Sequence, residues 1–251
     1  MKRGKRSQTT IFIIIGVILI VAILLFVILK KPVEPGKKTV HPNIQPVYSY
    51  VENCVKEVGE RAILYIGTTG GYYNTVELSN DQGVAFYYYE KINHMPSKQK
   101  IASEISLFVD DNLKNCINNF EIFQEFNIRQ EGEIKTSSII ENNKVVFNLN
   151  YPLSISKGPR TYDIEDFNDI EVFIRLGVIY NTISEYMQMQ INESICMNCL
   201  NVLGTQNDLY IELEESENNE VLFLISDPKS VINGKNYEFY FANKYEVLED
   251  E

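Results

Sequence analysis

The four cysteines of the chain are the residues best suited to covalent chemistry. Cys54 and Cys116 each lie on the apolar face of a predicted helix, and these helices cover residues 47–66 and 97–117. Two packed helices lie roughly 8 to 10 Å apart, so side chains on their facing sides come within bridging distance. We therefore predict a Cys54–Cys116 disulfide, and two inert buried thiols are the alternative.

Cys196 and Cys199 form a C-x-x-C motif, which is typical of a local disulfide, half of a zinc site or a redox pair. Zinc needs two more ligands, and the sequence offers only the other two cysteines and two histidines. A redox pair of the thioredoxin type opens a helix. Residues 163–199 instead predict one long helix that ends at this motif, where the dipole disfavours a thiolate. We predict a structural Cys196–Cys199 disulfide, with reduced thiols, metal binding and redox chemistry as alternatives.

The rest of the sequence carries no catalytic signature. Neither G-x-S-x-G nor H-E-x-x-H occurs, and two histidines leave few groups for general base catalysis. We predict no catalytic residue, no cofactor and no metal ligand. Asn192 opens an Asn-Glu-Ser sequon and is a candidate glycosylation site, although a sequon also arises by chance in a chain so rich in asparagine.

Residues 11–29 are nineteen consecutive apolar residues, a length that matches the hydrocarbon core of a bilayer. Four basic residues between positions 2 and 6 precede this run, and no acidic residue occurs before Glu34. The positive-inside rule therefore predicts a cytoplasmic N-terminus. A cleaved signal peptide has a shorter apolar core and a small-residue site after it, so we predict a retained anchor. The lipid bilayer is thus a predicted partner, through Ile11 to Leu29.

This segment organises the chain into four parts. We predict a basic cytoplasmic N-terminus at 1–10, a transmembrane helix at 11–29, a proline- and lysine-rich stalk at 30–46, and an extracytoplasmic domain at 47–251. The predicted location is the cell membrane, with a single pass and the C-terminal domain outside.

The predicted outer part is strongly acidic. Residues after position 31 include 17 lysines and arginines against 34 acidic residues, a formal charge of −17. Such a surface repels nucleic acid and anionic headgroups and favours cations or basic partners. Solubility on an outer face is the simpler interpretation of the same charge. We predict no nucleic-acid partner.

Periodicity in the outer part predicts an α+β domain, with helices packed on antiparallel β-hairpins. Beyond the two helices and the long helix at 163–199, alternation or β-type composition predicts strands at 84–89, 133–140, 145–151, 209–213, 221–225 and 237–241. Asn233-Gly234 predicts a tight turn before the last strand, and Pro152 is expected to limit its own strand.

Two segments of the sequence match each other without gaps. Residues 141–158 and 217–234 share eight of eighteen positions, and each pair of strands follows a predicted helix. A duplicated helix-hairpin unit would explain this match. Shared turn chemistry in a chain rich in asparagine and isoleucine is the alternative.

The N-terminus, Arg6-Ser7-Gln8-Thr9-Thr10-Ile11-Phe12, resembles an archaeal type IV prepilin signal. The resemblance implies that a peptidase cuts between Ser7 and Gln8 on the cytoplasmic side and leaves the helix in place. Two positions depart from that family. Ser7 stands where glycine is usual, and Phe12 stands where assembling pilins carry glutamate, so we expect no self-assembled filament.

Longer stretches between Tyr50 and Gly158 resemble uncharacterised membrane-anchored surface proteins of small-genome archaea. VENCVKEVGERAILYIGTTGGYY, FVDDNLKNCINNF and VVFNLNYPLSISKG carry this resemblance. It implies an anchored surface protein and supplies no activity.

From these observations we expect a non-enzymatic structural, adhesion or envelope-assembly protein, with an envelope or surface protein as partner. One alternative is an extracytoplasmic thiol-disulfide protein that uses Cys196 and Cys199. Another is a solute- or peptide-binding receptor whose site lies near the tyrosine-rich loops.

Overall fold

The computed structural model describes residues 16–21, 40–189, 195–216 and 218–245, and the chain divides into two compact units, 1–41 and 42–251. In the first unit, residues 16–21 are helical, and the other residues of the predicted transmembrane helix at 11–29 lie outside the described part. Among the described residues, none of the helices combines the length and the apolar character that crossing a membrane requires.

The second unit is an α+β fold, as the sequence predicts. The short stretches Pro42–Ile44 and Asn118–Phe120 are 3-10 helices. The α-helices are α1 (Gln45–Thr68), α2 (Lys98–Ile117), α3 (Leu176–Met189) and α4 (Met197–Asn207). The strands are β1 (Phe86–Tyr89), β2 (Ile92–Asn93), β3 (Asn127–Gln130), β4 (Lys135–Ile140), β5 (Val145–Lys157), β6 (Arg160–Val172), β7 (Tyr210–Glu215), β8 (Glu220–Ile232) and β9 (Lys235–Lys244).

The strands form two sheets. In the first sheet β5 is central and antiparallel to all its neighbours, with β6 along one edge and with β4 and then β3 along the other. The second sheet has the order β2-β1-β9-β8-β7, in which only β1 and β9 run parallel. Strand β7 is therefore an edge strand.

Helix α1 packs against both sheets, and two glycines allow the close approach. A Cβ on Gly59 would lie 2.7 Å from the Phe147 ring of β5, and one on Gly67 would lie 2.6 Å from the Glu238 carbonyl oxygen of β9. The Tyr237 hydroxyl also donates to the Ile63 carbonyl over 3.2 Å. The apolar stripe predicted for this helix is the centre of the core.

Both predicted helices of the first half are confirmed, with small changes at their ends. Ser97 caps α2, since its hydroxyl accepts a hydrogen bond from the Lys100 N–H over 3.1 Å. Helix α1 begins at Gln45, so residues 42–46 of the predicted stalk belong to the folded unit. Pro46 sits in the first turn, where its missing N–H costs no helical hydrogen bond.

The single helix predicted over residues 163–199 is wrong. Residues Arg160–Val172 form β6, α3 ends at Met189, and α4 begins only at Met197. The register of β6 against β5 shifts where Phe147 pairs with Ile170 and Leu149 pairs with Phe167. This bulge adds one residue, Asp169, with a positive φ of 59°. The extra residue turns strand spacing of two into a spacing of three, which looks helical in the sequence.

The expectation that Pro152 limits its strand is also wrong, because β5 continues through it to Lys157. A register shift between Asn150 and Leu153 opens the ladder at the proline, so no hydrogen bond is required of its missing N–H. Strand β8 has a register shift after Asp227, where Pro228 follows.

The sequence match of 141–158 with 217–234 corresponds to equivalent strand pairing. Strand β4 pairs with Val145–Asn150 of β5, and β7 pairs with Val221–Ser226 of β8, residues that lie 76 positions further on. Pro152 and Pro228 have the same separation. We call Lys98–Val172 the first helix–meander unit and Met197–Lys244 the second. Each unit contains an α-helix and three consecutive antiparallel strands in this register, and the first unit also contains the 3-10 helix Asn118–Phe120 and strand β3 between its α-helix and those strands.

Candidate functional site

Cys54 and Cys116 form a disulfide, as predicted. Their Cα atoms are 5.7 Å apart, and the bond joins the facing sides of α1 and α2. Cys54 is buried. The Tyr50 hydroxyl donates to the Cys116 carbonyl over 3.0 Å and ties the same two helices together. This bridge is part of the core and links two elements that are distant in sequence.

Cys196 and Cys199 also form a disulfide, but the predicted place of the motif is wrong. Cys196 is the N-cap of α4, and its sulfur accepts a hydrogen bond from the Cys199 N–H over 3.3 Å. The motif therefore opens a helix instead of closing one. The positive end of the helix dipole lies here and would stabilise a thiolate if the bond were reduced.

The other predicted site residues lie outside the described part of the chain. These are Ser7 and Gln8 of the prepilin-like signal and Asn192 of the sequon. Within the described ranges, no three histidine, cysteine or acidic side chains come together as a metal site would require.

Tyrosines near the loop that follows α1, which contains Gly70 and Gly71, are used in packing. The rings of Tyr65 and Tyr73 lie against Phe108, with centroids 5.5 and 5.1 Å away. Tyr87 is fully buried, and its hydroxyl donates to the Gly70 carbonyl over 3.0 Å. Burial raises the pKa of Tyr87 well above its usual value, so the hydroxyl stays protonated. These rings stabilise the loop.

A buried ion pair holds the bulge of β8. The Arg175 guanidinium lies 2.7 Å from the carboxylate of Asp227, which is completely buried. The carboxylate also accepts from the Ser230 hydroxyl over 2.6 Å and from the Lys229 N–H over 3.1 Å. Arg175 in turn donates to the Asn207 carbonyl at the end of α4 over 2.6 Å. The network therefore fixes α4 relative to β8.

The outer edge of β4 is closed by helix α2. The backbone N–H of Glu141 donates to the Lys144 carbonyl at the turn, so alternate residues of β4 direct their backbone groups away from β5. Two of these N–H groups bond side chains one helical turn apart on α2. Thr136 donates to Asp110 over 2.7 Å, and Ser138 donates to the Ser106 hydroxyl over 3.0 Å.

The outer edge of β7 is open. The backbone N–H of Ser216 donates to the Glu220 carbonyl at the turn. By the same alternation, the backbone groups of Ile211 and Leu213 point away from β8. In the described part of the chain, neither of these N–H groups has a hydrogen-bond acceptor. Together with Glu215, these two residues form what we call the open edge.

A groove of about 620 Å³ runs beside the open edge, between α4, β7 and the bulge of β8. Its volume lies within the range of ligand sites in proteins, roughly 300 to 1,000 Å³. Helix α4 lies close to this end of β7, because a Cβ on Gly204 would lie 3.0 Å from the Leu209 carbonyl oxygen and 3.6 Å from the Ile211 side chain. The lining residues are Leu200, Asn201, Gly204, Thr205, Asp208, Leu209, Tyr210, Ile211, Glu212, Pro228 and Lys229.

The exposed face of β7 is acidic. Glu212 and Glu214 are exposed and lie on the same face of β7 as Tyr210, which is 63% exposed. Burial is the main factor that raises the pKa of Tyr240 on β9, and the nearby carboxylates of Glu238 and Glu212 raise it further. Glu212 and Tyr240 lie on the same face of the sheet, since both pair with Leu224.

Sequence reasoning missed the residues that close one edge and leave the other open. Ser106 and Asp110 stand four positions apart on a predicted helix, and that spacing alone does not distinguish a solvent-facing pair from one that bonds a strand. Asp227-Pro228-Lys229-Ser230 did carry a signal, because an aspartate before a proline is typical of a turn inside a strand.

Comparison with known proteins gives no match: no family model fits the chain, and no curated protein and no solved structure is similar to it.

Proposed function

We propose that this chain is a membrane-anchored, extracytoplasmic protein that acts in adhesion or envelope assembly and catalyses no reaction. The observation that carries the proposal is the pairing of all four cysteines in two disulfides. Such bonds persist in oxidising compartments, outside the cytoplasm. The apolar run at 11–29 with its basic flank supports attachment to the membrane in the same orientation.

Protease treatment of intact cells tests the topology. Because the stalk at 30–46 is rich in proline and lysine, trypsin added outside should release a fragment that starts within it. The same fragment should migrate differently with and without reductant, since the Cys54–Cys116 bond restricts the denatured chain. Digestion of this domain only after cell lysis would refute the proposed orientation.

We also infer processing of the N-terminus at Ser7 and Gln8, on the prepilin-like sequence around them. Sequencing of the mature protein should then find Gln8 as the first residue. Met1 or Lys2 at that position would leave a plain anchor. With Phe12 where pilins carry glutamate, the processed chain should remain a membrane-bound protein and form no filament.

A second candidate function is thiol-disulfide exchange at the C-x-x-C motif, and the position of Cys196 at the start of α4 favours it. In that reaction a thiolate of the substrate attacks the Cys196 sulfur of the Cys196–Cys199 disulfide and releases the Cys199 thiolate. A second thiolate of the substrate then attacks the mixed disulfide and releases the Cys196 thiolate, so that the substrate gains a disulfide and the motif is reduced to two thiols.

The pH dependence of Cys196 alkylation, after mild reduction, distinguishes the two functions. A structural bridge gives a thiol with a pKa near the ordinary value of about 8.5, whereas an exchange site requires a pKa below about 7.5. Cys54 serves as the internal reference, because it lies in the core between two helices.

A further inference from the structure

We propose that the open edge of β7 binds an extended peptide segment of a partner protein, in which basic residues alternate with apolar ones. The inference deepens the proposed assembly role and rests on it for its biological setting. Peptide binding can fail while the topology holds, and a different topology would leave peptide binding unchanged. The two proposals are therefore tested separately.

The open edge offers backbone hydrogen-bonding groups to an added strand. Ile211, Leu213 and Glu215 point their N–H and C=O groups away from β8, and the first two N–H groups have no acceptor among the described residues. An added strand satisfies such groups by extending the ladder, which is how β-augmentation provides affinity. An edge of this kind is otherwise a risk for unwanted pairing.

The corresponding edge of the first helix–meander unit is closed. There the same outward positions, Thr136 and Ser138, are bonded by the side chains of Asp110 and Ser106. Helix α4 supplies no such bond from its described residues, although a Cβ on its Gly204 would lie only 3.6 Å from the Ile211 side chain. The groove lies beside the edge at this end of β7. The second unit therefore keeps room for a strand at the place where the first unit is closed.

One face of β7 carries the apolar residues of the edge. Ile211 and Leu213 are half-buried and lie on the face that their partners, Ile225 and Phe223, bury in the core. Ile211 also lines the groove, together with Leu200 and Leu209. Because successive side chains of a strand alternate between faces, every second residue of the added strand should be apolar.

The acidic residues of β7 favour a positively charged partner. Directly opposite residues of neighbouring strands have Cβ atoms about 5 Å apart, and opposite charges there are favourable whereas like charges are not. A strand on the open edge therefore gains from lysine or arginine opposite Glu212 and Glu214. A second copy of β7, centred on Leu213, would bring Glu212 opposite the glutamate at position 214 of its neighbour. This repulsion argues against self-pairing.

A peptide library tests the proposal on the full chain in detergent micelles. Each peptide has the pattern X-Val-X-Val-X, in which X is lysine, glutamate or serine. We expect the lysine peptides to bind at least about tenfold more tightly than the serine peptides, a factor that corresponds to roughly 1.4 kcal/mol, and the glutamate peptides to bind least. Equal binding of all three sets, or no binding up to millimolar concentration, would overturn the proposal.

Hydrogen exchange locates the bound peptide. At saturation, the amides of Ile211 and Leu213 should exchange at least about tenfold more slowly, while those of Glu212 and Glu214, already bonded to β8, should change little. Slow exchange of the same amides in a peptide-free dimer would assign the edge to a second copy. These amides could instead exchange slowly in the peptide-free monomer and lose that protection when the stalk lysines are replaced by serine, at Lys30, Lys31, Lys37 and Lys38. That result would show that the chain's own stalk covers the open edge. Either result would overturn the proposal.

A charge-swap variant and a matched control complete the test. Glu212→Lys with Glu214→Lys should weaken binding of the lysine peptides by about tenfold or more and should strengthen binding of the glutamate peptides. Asp163→Lys with Glu165→Lys changes the charge by the same amount at the same spacing on β6, at exposed positions of the other sheet. That control should change binding less than twofold.

Discussion

In the first helix–meander unit, α2 lies against the outer edge of β4, and Ser106 and Asp110 bond two of its free backbone N–H groups. In the second unit, the described residues of α4 make no such bonds to β7, and both elements line a groove of about 620 Å³. The strand registers are the same. In the first unit, two polar side chains of the helix therefore close the edge, and none of the described side chains does so in the second unit.

The interiors of the two units differ as well. At the bulge of β5 the chain places Tyr151, whereas the equivalent position in β8 holds the buried Asp227 with its partner Arg175. The first unit is tied to α1 by the Cys54–Cys116 disulfide, and the second has only the short bridge at the start of α4. The second unit thus depends on a polar network where the first depends on apolar packing and a covalent link.

The largest effect is expected from removing the long disulfide. Replacing both Cys54 and Cys116 by serine opens a loop of 62 residues and should lower the free energy of unfolding by about 4 kcal/mol in the chain-entropy model. The same double change at Cys196 and Cys199 removes a bond between residues only 3 positions apart, so it should lower the free energy of unfolding much less. Urea unfolding of both variants measures the difference. A larger loss from the second pair would contradict the assignment of the first bridge to the core.

Asp227→Asn should have the next largest effect. The change leaves the positive charge of Arg175, whose side chain is 16% exposed, without its buried partner, and breaking such a pair costs roughly 3 kcal/mol or more. Asp208→Asn is the matched control, because its ion pair with Lys229 is exposed on both sides and should contribute little. Urea unfolding compares the two. Equal losses would show that the network at the bulge does not hold the second unit together.

Ser106→Ala should have a smaller effect that is confined to the closed edge. The change leaves the buried N–H of Ser138 without its acceptor, a loss of about 1 to 2 kcal/mol. Hydrogen exchange at the Ser138 amide should become faster. Ser103→Ala, in which the lost hydroxyl bonds only its own helix, should leave that amide unchanged. No change in either variant would remove the physical basis for calling this edge closed.

The smallest effect concerns the pH dependence of the same edge. Burial raises the pKa of Asp110 from its usual 3.8, and the charge of Asp111 adds to this, while the hydrogen bond from the Thr136 N–H opposes it. A raised pKa means that the stability contributed by this group is fully present below pH 3.8 and is lost as the pH rises through the folded-state value. The stability of the natural chain relative to Asp110→Asn should therefore fall as the pH rises from about 3.8. Unfolding measured between pH 3 and 7 checks this, and a relative stability that rises with pH would contradict it.

Several elements could be predicted because their signals are local. The apolar stripe of α1, the cap at Ser97 and the tight turn at Asn233-Gly234 each depend on residues within one or two helical turns of each other. The turn residues have the positive φ angles that this dipeptide predicts. Even the Cys54–Cys116 pairing follows from two local facts, namely that each cysteine lies on an apolar helix face.

Tertiary structure alone decided the rest, because the residues that matter act across strands or between elements. The bulge at Asp169 gave β6 a helical spacing. The prediction also joined α3 and α4 into one helix, and this second error misplaced the C-x-x-C motif. No local pattern states that Ser106 bonds an edge strand or that the described residues of α4 leave the edge of β7 without such bonds. These outcomes depend on how far each helix lies from its sheet, which the packing of the whole domain sets.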